Sequence, residues 1–145
     1  MALSPPVRRL KSRPITFVFE IPTDKLREFW EGLEKGKVYA SKCKKCGKLS
    51  FPPTADCARC LNKEIEMVDI QGEGEIETFT HIVIRPASFQ SQPTYTVTVA
   101  KMNSGVTVLA WLTGAKLSDV KVGAKVRLAA VQSPDGPSYG FTLVH

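Results

Sequence analysis

Apolar and polar positions alternate with two different periods along the chain. In "PTDKLREFWEGLEKG", residues 22–36, Leu26, Phe29, Trp30 and Leu33 recur at i, i+3, i+4 and i+7 among charged residues, the spacing of one amphipathic helix. Thr23 or Asp24 suits its N-cap, and Gly36 suits a left-handed stop. The aromatic stripe reads first as packing, with docking onto a partner as the lesser reading.

Beyond residue 63 the period shortens to that of strands. "EIEMVDI", "GEIETFTHIVI", "TYTVTVAKM", "VTVLAWL", "AKVRLAAVQ" and "YGFTLVH" are short runs rich in Val, Ile, Thr and aromatics. Gly, Pro and Ser breaks such as "QGEG", "RPASFQSQP" and "SPDGPS" separate them, and "MNSGV" suits a hairpin turn at Ser104–Gly105. Five to six strands without a long helix predict a small closed barrel of OB type rather than a larger sandwich. The helix usual between the third and fourth OB strands is reduced to "KLSDVKVG". The expected organisation is a basic N-terminal arm over 1–21, a helix and metal ribbon over 22–63, and a barrel over 64–145.

Between helix and strands lies "CKKCGKLSFPPTADCARC", which holds all four cysteines: Cys43, Cys46, Cys57 and Cys60 form two C-x2-C pairs across a ten-residue spacer. Two such knuckles present four thiolates tetrahedrally, as zinc accepts. Paired disulfides suit a chain with a secretory signal and scattered cysteines, and neither pair opens a helix after a strand as a thioredoxin-type redox pair would. Iron in a rubredoxin-like site is chemically open to four thiolates, although only the first pair, "CKKCGK", carries the Gly that lets amides approach sulfur. A four-thiolate site is closed to water and substrate, so the metal is expected to be structural.

Charge sharpens the division. The chain of 145 residues is +6 overall, but residues 1–63 hold 14 Lys and Arg against 6 Asp and Glu, whereas residues 64–145 hold 6 against 8. A polyanionic partner or phosphorylated cofactor therefore belongs with the N-terminal half. No apolar run approaches the roughly 20 residues of a membrane span. The "ITFVF" segment after the basic arm is too short for a signal-peptide core, so a cytoplasmic protein is expected.

With the cysteines committed to metal, few catalytic groups remain. His81 alternates with Phe79 and Val83 on one strand face, and His145 ends the chain. Glu73, Glu75 and Glu77 share a face by the period of two and read as a solvated sheet surface. The chain reads as a binding module, not an enzyme.

The helix with "FWEGL", the cysteine segment with Phe51-Pro52-Pro53 after its first knuckle, and the barrel opening "GEGEIETFT" with Gly72, Gly74, Phe79 and Thr80 together resemble the OB-fold acyl-CoA-associated family. Its members carry an N-terminal rubredoxin-like zinc ribbon, and the likeness runs from residue 22 to about 144. The resemblance implies a non-catalytic subunit that bridges a thiolase or a hydroxymethylglutaryl-CoA synthase-like enzyme and helps hold the CoA thioester. For such a ligand, phosphate contacts would come from Lys42, Lys44, Lys45, Lys48 and Arg85, with Phe89 and Tyr95 bounding the loop after the first barrel strand. The competing reading is a nucleic-acid binder, since zinc ribbons and OB barrels both serve that role. Against it, the β half is net negative, and few strand aromatics are expected to remain once a core is built.

Overall fold

The computed structural model describes residues 10–13, 15, 17–20, 22–133 and 136–144. His145 and much of the basic arm lie outside these residues.

A 3-10 turn, Asp24–Leu26, leads into helix α1, Arg27–Glu34. Phe29, Gly32 and Leu33 form its buried face, while Trp30 stays 38% exposed and stands edge-on to Phe29 at 5.2 Å. The expected side-chain cap is absent: Thr23 precedes the 3-10 turn and accepts the Leu26 N–H at its carbonyl, 3.0 Å away. Gly36 ends the helix with φ of 78°, as the left-handed stop requires.

Three short strands form the ribbon sheet. β1, Tyr39–Cys43, lies in the middle, antiparallel to β2, Leu49–Ser50, and to β3, Ile65–Asp69. The "EIEMVDI" run expected among the barrel strands is therefore ribbon, pairing from Tyr39↔Asp69 to Cys43↔Ile65. Local propensity identifies a strand, but its partner is set by packing far away in sequence, and here Val38, Ala40 and Ile70 are buried together at the ribbon's base.

Five strands close the barrel: β4, Gly72–Ile82; β5, Tyr95–Met102; β6, Thr107–Leu112; β7, Lys125–Ser133; and β8, Gly136–Leu143. Their order is β4-β5-β6-β8-β7, with β6 and β8 parallel and the other pairs antiparallel. This is the OB arrangement, with the reduced connector present as a 3-10 turn, Leu117–Asp119. β4 serves both neighbours by bending: a bulge between Ile76 and Thr78 shifts its register. At Gly74 the strands approach so closely that a Cβ would lie 2.6 Å from the Lys101 carbonyl oxygen. The β5–β6 turn is the expected hairpin, with Gly105 at φ of 97°.

Ile76, Ala100, Val108, Leu128 and Phe141 fill the barrel, and their cluster continues without a break through Phe29 and Leu33 of α1. The helix packs on β7, β8 and β1. Ribbon, helix and barrel thus share one core.

Candidate functional site

Each cysteine pair sits on the same backbone turn. In the first, Gly47 N–H reaches the Cys43 carbonyl at 2.9 Å and Cys43 N–H reaches the Lys48 carbonyl at 3.0 Å. In the second, Leu61 N–H reaches the Cys57 carbonyl at 2.8 Å and Cys57 N–H reaches the Asn62 carbonyl at 2.9 Å. Gly47 has φ of 70°, and Leu61 takes the same left-handed conformation at 56°. The glycine that sequence reasoning required for amide approach is therefore dispensable, because Leu61 makes the turn at the cost of strain.

The four sulfurs lie within 4.8 Å of one another, with Cys43–Cys60 and Cys46–Cys57 each 3.6 Å apart. A tetrahedron with metal–sulfur bonds of about 2.3 Å has edges of about 3.8 Å, so the donor set fits a zinc ion. The separations are far beyond a disulfide bond of about 2.05 Å, and all four cysteines are free.

The backbone prepares thiolates. N–H groups of Cys46 and Lys45, together with the sulfurs of Cys60 and Cys46, outweigh burial to bring the Cys43 thiol down to about 6. Cys57 is lowered in the same way by the N–H groups of Cys60 and Arg59. Cys60 gains an N–H from Asn62, but burial and the three neighbouring sulfurs push it up to about 11. Four negative charges cannot share so small a volume without a cation, and a divalent metal supplies it. Asn62 completes the surround, its Nδ2 lying 3.7 Å from the Cys43 sulfur and 3.1 Å from the Glu64 carbonyl oxygen. With four protein ligands the centre stabilises fold and has no vacant position for chemistry.

The CoA-contact candidates fall into two groups. Lys42 is paired with Glu66 at 3.5 Å, and Lys44, Lys45 and Lys48 are exposed on and beside the first knuckle. Arg85 and Phe89 lie on the loop after β4, whose ends are joined by the Ile82↔Tyr95 pair. There the structure adds a residue that sequence reasoning missed. Trp111 stacks on Tyr95 with centroids 4.3 Å apart and planes at 16°, and Phe89 tilts onto both.

These aromatics crown the outer face of the barrel. Register places Thr78, Val99 and Leu109 in one row and Thr80, Val97 and Trp111 in the next, opposite in facing to the buried Thr98. Leu109 is 59% exposed. Charges collect at the lower end, where Glu73 pairs with Arg127 at 2.9 Å and Glu75 with Lys125 at 2.8 Å; of the three glutamates expected on one solvated face, Glu77 instead falls at the bulge between Ile76 and Thr78, where the strand period breaks. Below Leu109, the ribbon's Phe51 and Pro52 face Val99, Thr107 and Tyr139 across a cavity of about 370 Å³. His81 is half-buried, its Nδ1 2.9 Å from the Thr96 hydroxyl, as a strand histidine packed into the fold.

Comparison with known proteins agrees with this architecture. The rubredoxin-like zinc ribbon domain of ChsH2 matches residues 30–66, and the C-terminal OB-fold domain of ChsH2 matches residues 67–131. The chain belongs to the DUF35 family, being 30% identical over 69% of the length of a DUF35 domain-containing scaffold protein of Pyrococcus furiosus. A DUF35 domain-containing scaffold protein of Methanocaldococcus jannaschii is 28% identical over 86 residues, 59% of this chain. The benzoylsuccinyl-CoA thiolase subunit BbsA of Thauera aromatica is likewise 28% identical, over 96 residues, 63% of this chain. The matched region spans 61% of the length of each of these two relatives. Among solved structures, the Ltp2-ChsH2(DUF35) aldolase superposes with a TM-score of 0.70 over 81% of this chain and 92% of that one, at 19% identity, a likeness of fold. The family's ribbon assignment and the four convergent sulfurs support zinc as the metal of the cluster.

Proposed function

We propose that this DUF35 protein is a non-catalytic scaffold subunit that binds or bridges a thiolase-type, CoA-condensing enzyme in the cytoplasm and helps hold the CoA thioester. The observation that carries this reading is the similarity, over 86 and 96 residues, to one relative called a scaffold protein and another called a thiolase subunit. The site chemistry agrees with it. The metal centre is closed by four cysteines, so it builds a surface instead of activating water. Trp111 and Phe89, exposed at the barrel's upper end, are aromatics, the residue class enriched where partners and ligands are held.

A nucleic-acid role would use the same outer face of β5 and β6, which is the usual binding face of OB barrels. Such a face tracks a phosphate backbone with a positive groove. Here Lys125 and Arg127 are neutralised by Glu75 and Glu73, Lys101 is the one cation that β5 and β6 carry, its ammonium donating to the Gly105 carbonyl, and the rows above it hold no charge.

The test is recovery of the tagged protein from its own cells after nuclease treatment, with bound proteins identified by mass spectrometry. A thiolase-type enzyme in near-stoichiometric amount is the expected result. Recovery of nucleic-acid-processing proteins alone, lost on nuclease treatment, would overturn the scaffold reading.

A further inference from the structure

We propose that the cysteine cluster is a thiol switch: a hydroperoxide oxidises it to two disulfides that cross between the knuckles, Cys43–Cys60 and Cys46–Cys57, so that the metal leaves while the ribbon stays closed. The switch belongs to this chain alone and requires no partner.

Burial and spacing together select those pairs. Cys43 and Cys57 are 1% and 2% exposed, whereas Cys46 and Cys60 are half-buried and within reach of a small oxidant. Each 3.6 Å contact joins one sulfur of each kind, and each runs from the first knuckle to the second. An oxidant that reaches Cys46 or Cys60 therefore leaves the oxidised sulfur beside a buried one from the opposite knuckle. Metal coordination keeps all four sulfurs as thiolates, the form that attacks peroxide.

The Cys60 thiolate attacks one oxygen of the hydroperoxide, the O–O bond breaks with loss of hydroxide, and the sulfur becomes a sulfenic acid. The Cys43 thiolate then attacks that sulfur, the S–O bond breaks, and a second hydroxide leaves. Cys46 and Cys57 react in the same way. Four thiolates thus give up four electrons to two peroxide molecules, which with four protons become four waters. Disulfide sulfurs are no longer the anionic ligands that a metal needs, so the ion dissociates.

In the sequence Cys46–Cys57 lies inside Cys43–Cys60, so the two bonds are nested and tie knuckle to knuckle as the metal does. Bonds within the knuckles, Cys43–Cys46 and Cys57–Cys60, would leave the two turns unjoined. The base of the ribbon is secured separately, because Val38, Ala40 and Ile70 belong to the core shared with the barrel. What oxidation changes is charge. Around the knuckles Lys44, Lys45, Lys48, Arg59 and Lys63 are exposed, and a divalent ion with four thiolates sets two negative charges among them. Oxidation removes those two charges and leaves the cations uncompensated, which alters what this face attracts.

The test is peroxide treatment of the zinc-loaded full chain, with released zinc followed by a chromogenic chelator. Trypsin then maps the bonds without ambiguity, since a Lys or Arg separates each cysteine from the next. After acid quenching and alkylation, mass spectrometry is expected to find residues 43–44 linked to 60–63, and residues 46–48 linked to 49–59. One zinc ion should leave for every two peroxide molecules consumed, and dithiothreitol with added zinc should restore the metal. Hydrogen exchange of the oxidised chain should show β1 and β3 still protected. Zinc retained until sulfinic or sulfonic acids appear would overturn the switch, as would a majority of bonds within the knuckles. Loss of β1 and β3 protection on oxidation would overturn the closed ribbon and the switch with it.

Discussion

The ring of Phe51 stands edge-on to the ring of Tyr139, with centroids 5.0 Å apart and planes at 80°, and so joins the ribbon to the last barrel strand. Phe51 also meets Phe29 of the helix at 6.4 Å. One side chain therefore touches all three parts of the fold. Phe51→Ala is expected to cost about 2–3 kcal/mol, below the range for a fully buried Phe because this ring is half-buried. Chemical denaturation of the zinc-loaded protein measures it. Burial raises the Tyr139 hydroxyl above its ordinary pKa, so the same variant should bring its ultraviolet titration back toward about 10.

Removing one metal ligand tests the closed centre. Cys57→Ser is expected to abolish stoichiometric zinc, because binding energies of about 10–16 kcal/mol hold such ribbons together. Hydrogen exchange should then show β1 to β3 losing protection, while amides of Val108 and Val126 in the barrel core keep theirs. Elemental analysis of the unsubstituted chain should give one metal ion per four cysteines.

Leu61 offers a stabilising change. Its side chain is 80% exposed and its φ is 56°, so the left-handed strain is offset by little packing. Leu61→Gly relieves about 1–2 kcal/mol of strain and adds unfolded-chain entropy of about 0.5–1 kcal/mol. The difference is a net gain of up to about 1.5 kcal/mol, seen as a higher denaturation midpoint.

Gly74→Ala should act in the opposite direction. The added methyl meets Lys101 backbone at 2.6 Å and the Met102 sulfur at 2.8 Å, and backbone cannot turn aside as a flexible side chain can. A loss of about 1–3 kcal/mol is expected from overpacking, with zinc content unchanged.

Asp69 carries a pH dependence. Burial works against its charge, but the Gln71 N–H and the Lys37 ammonium, each 2.9 Å away, hold its carboxyl below the usual carboxylate range. A lowered folded-state pKa stabilises above the unfolded value and loses that stabilisation as pH falls through the folded one. Asp69→Asn should thus be less stable than the parent at pH 7, and the difference should fade below about pH 3.9. Lys37 is raised by the same hydrogen bond, so its share is present at neutral pH and disappears only as pH climbs past the ordinary lysine range. Denaturation midpoints across the acid range decide the matter.

The cysteine cluster was legible because metal ligation imposes spacing directly on the chain. The barrel was legible for a similar reason, since strand period and turn residues are local. β3 was misplaced because its pairing with β1 depends on packing at Val38 and Ile70 that no local pattern displays. Trp111 escaped notice because "VTVLAWL" is apolar on both parities: Val108, Ala110 and Leu112 point inward, and the equally apolar Leu109 and Trp111 point outward. That same ambiguity led to the expectation of few spare aromatics, which Tyr95, Phe89 and Trp111 contradict. The side-chain cap failed because the first turn tightened to a 3-10 geometry and met its N–H with a backbone carbonyl instead.

β3 ends at Asp69 and β4 begins at Gly72, leaving two residues between ribbon and barrel. Neither is slack: Ile70 donates its N–H to the Val38 carbonyl at 2.9 Å and is itself buried, and the Gln71 amide reaches the Gly36 carbonyl at 2.6 Å. Such a junction behaves as a spacer bar and not as a tether. Whatever grips the metal knuckles is held at a set distance and angle from whatever grips the barrel, and that spacing can be altered only by insertion or deletion at residues 70–71.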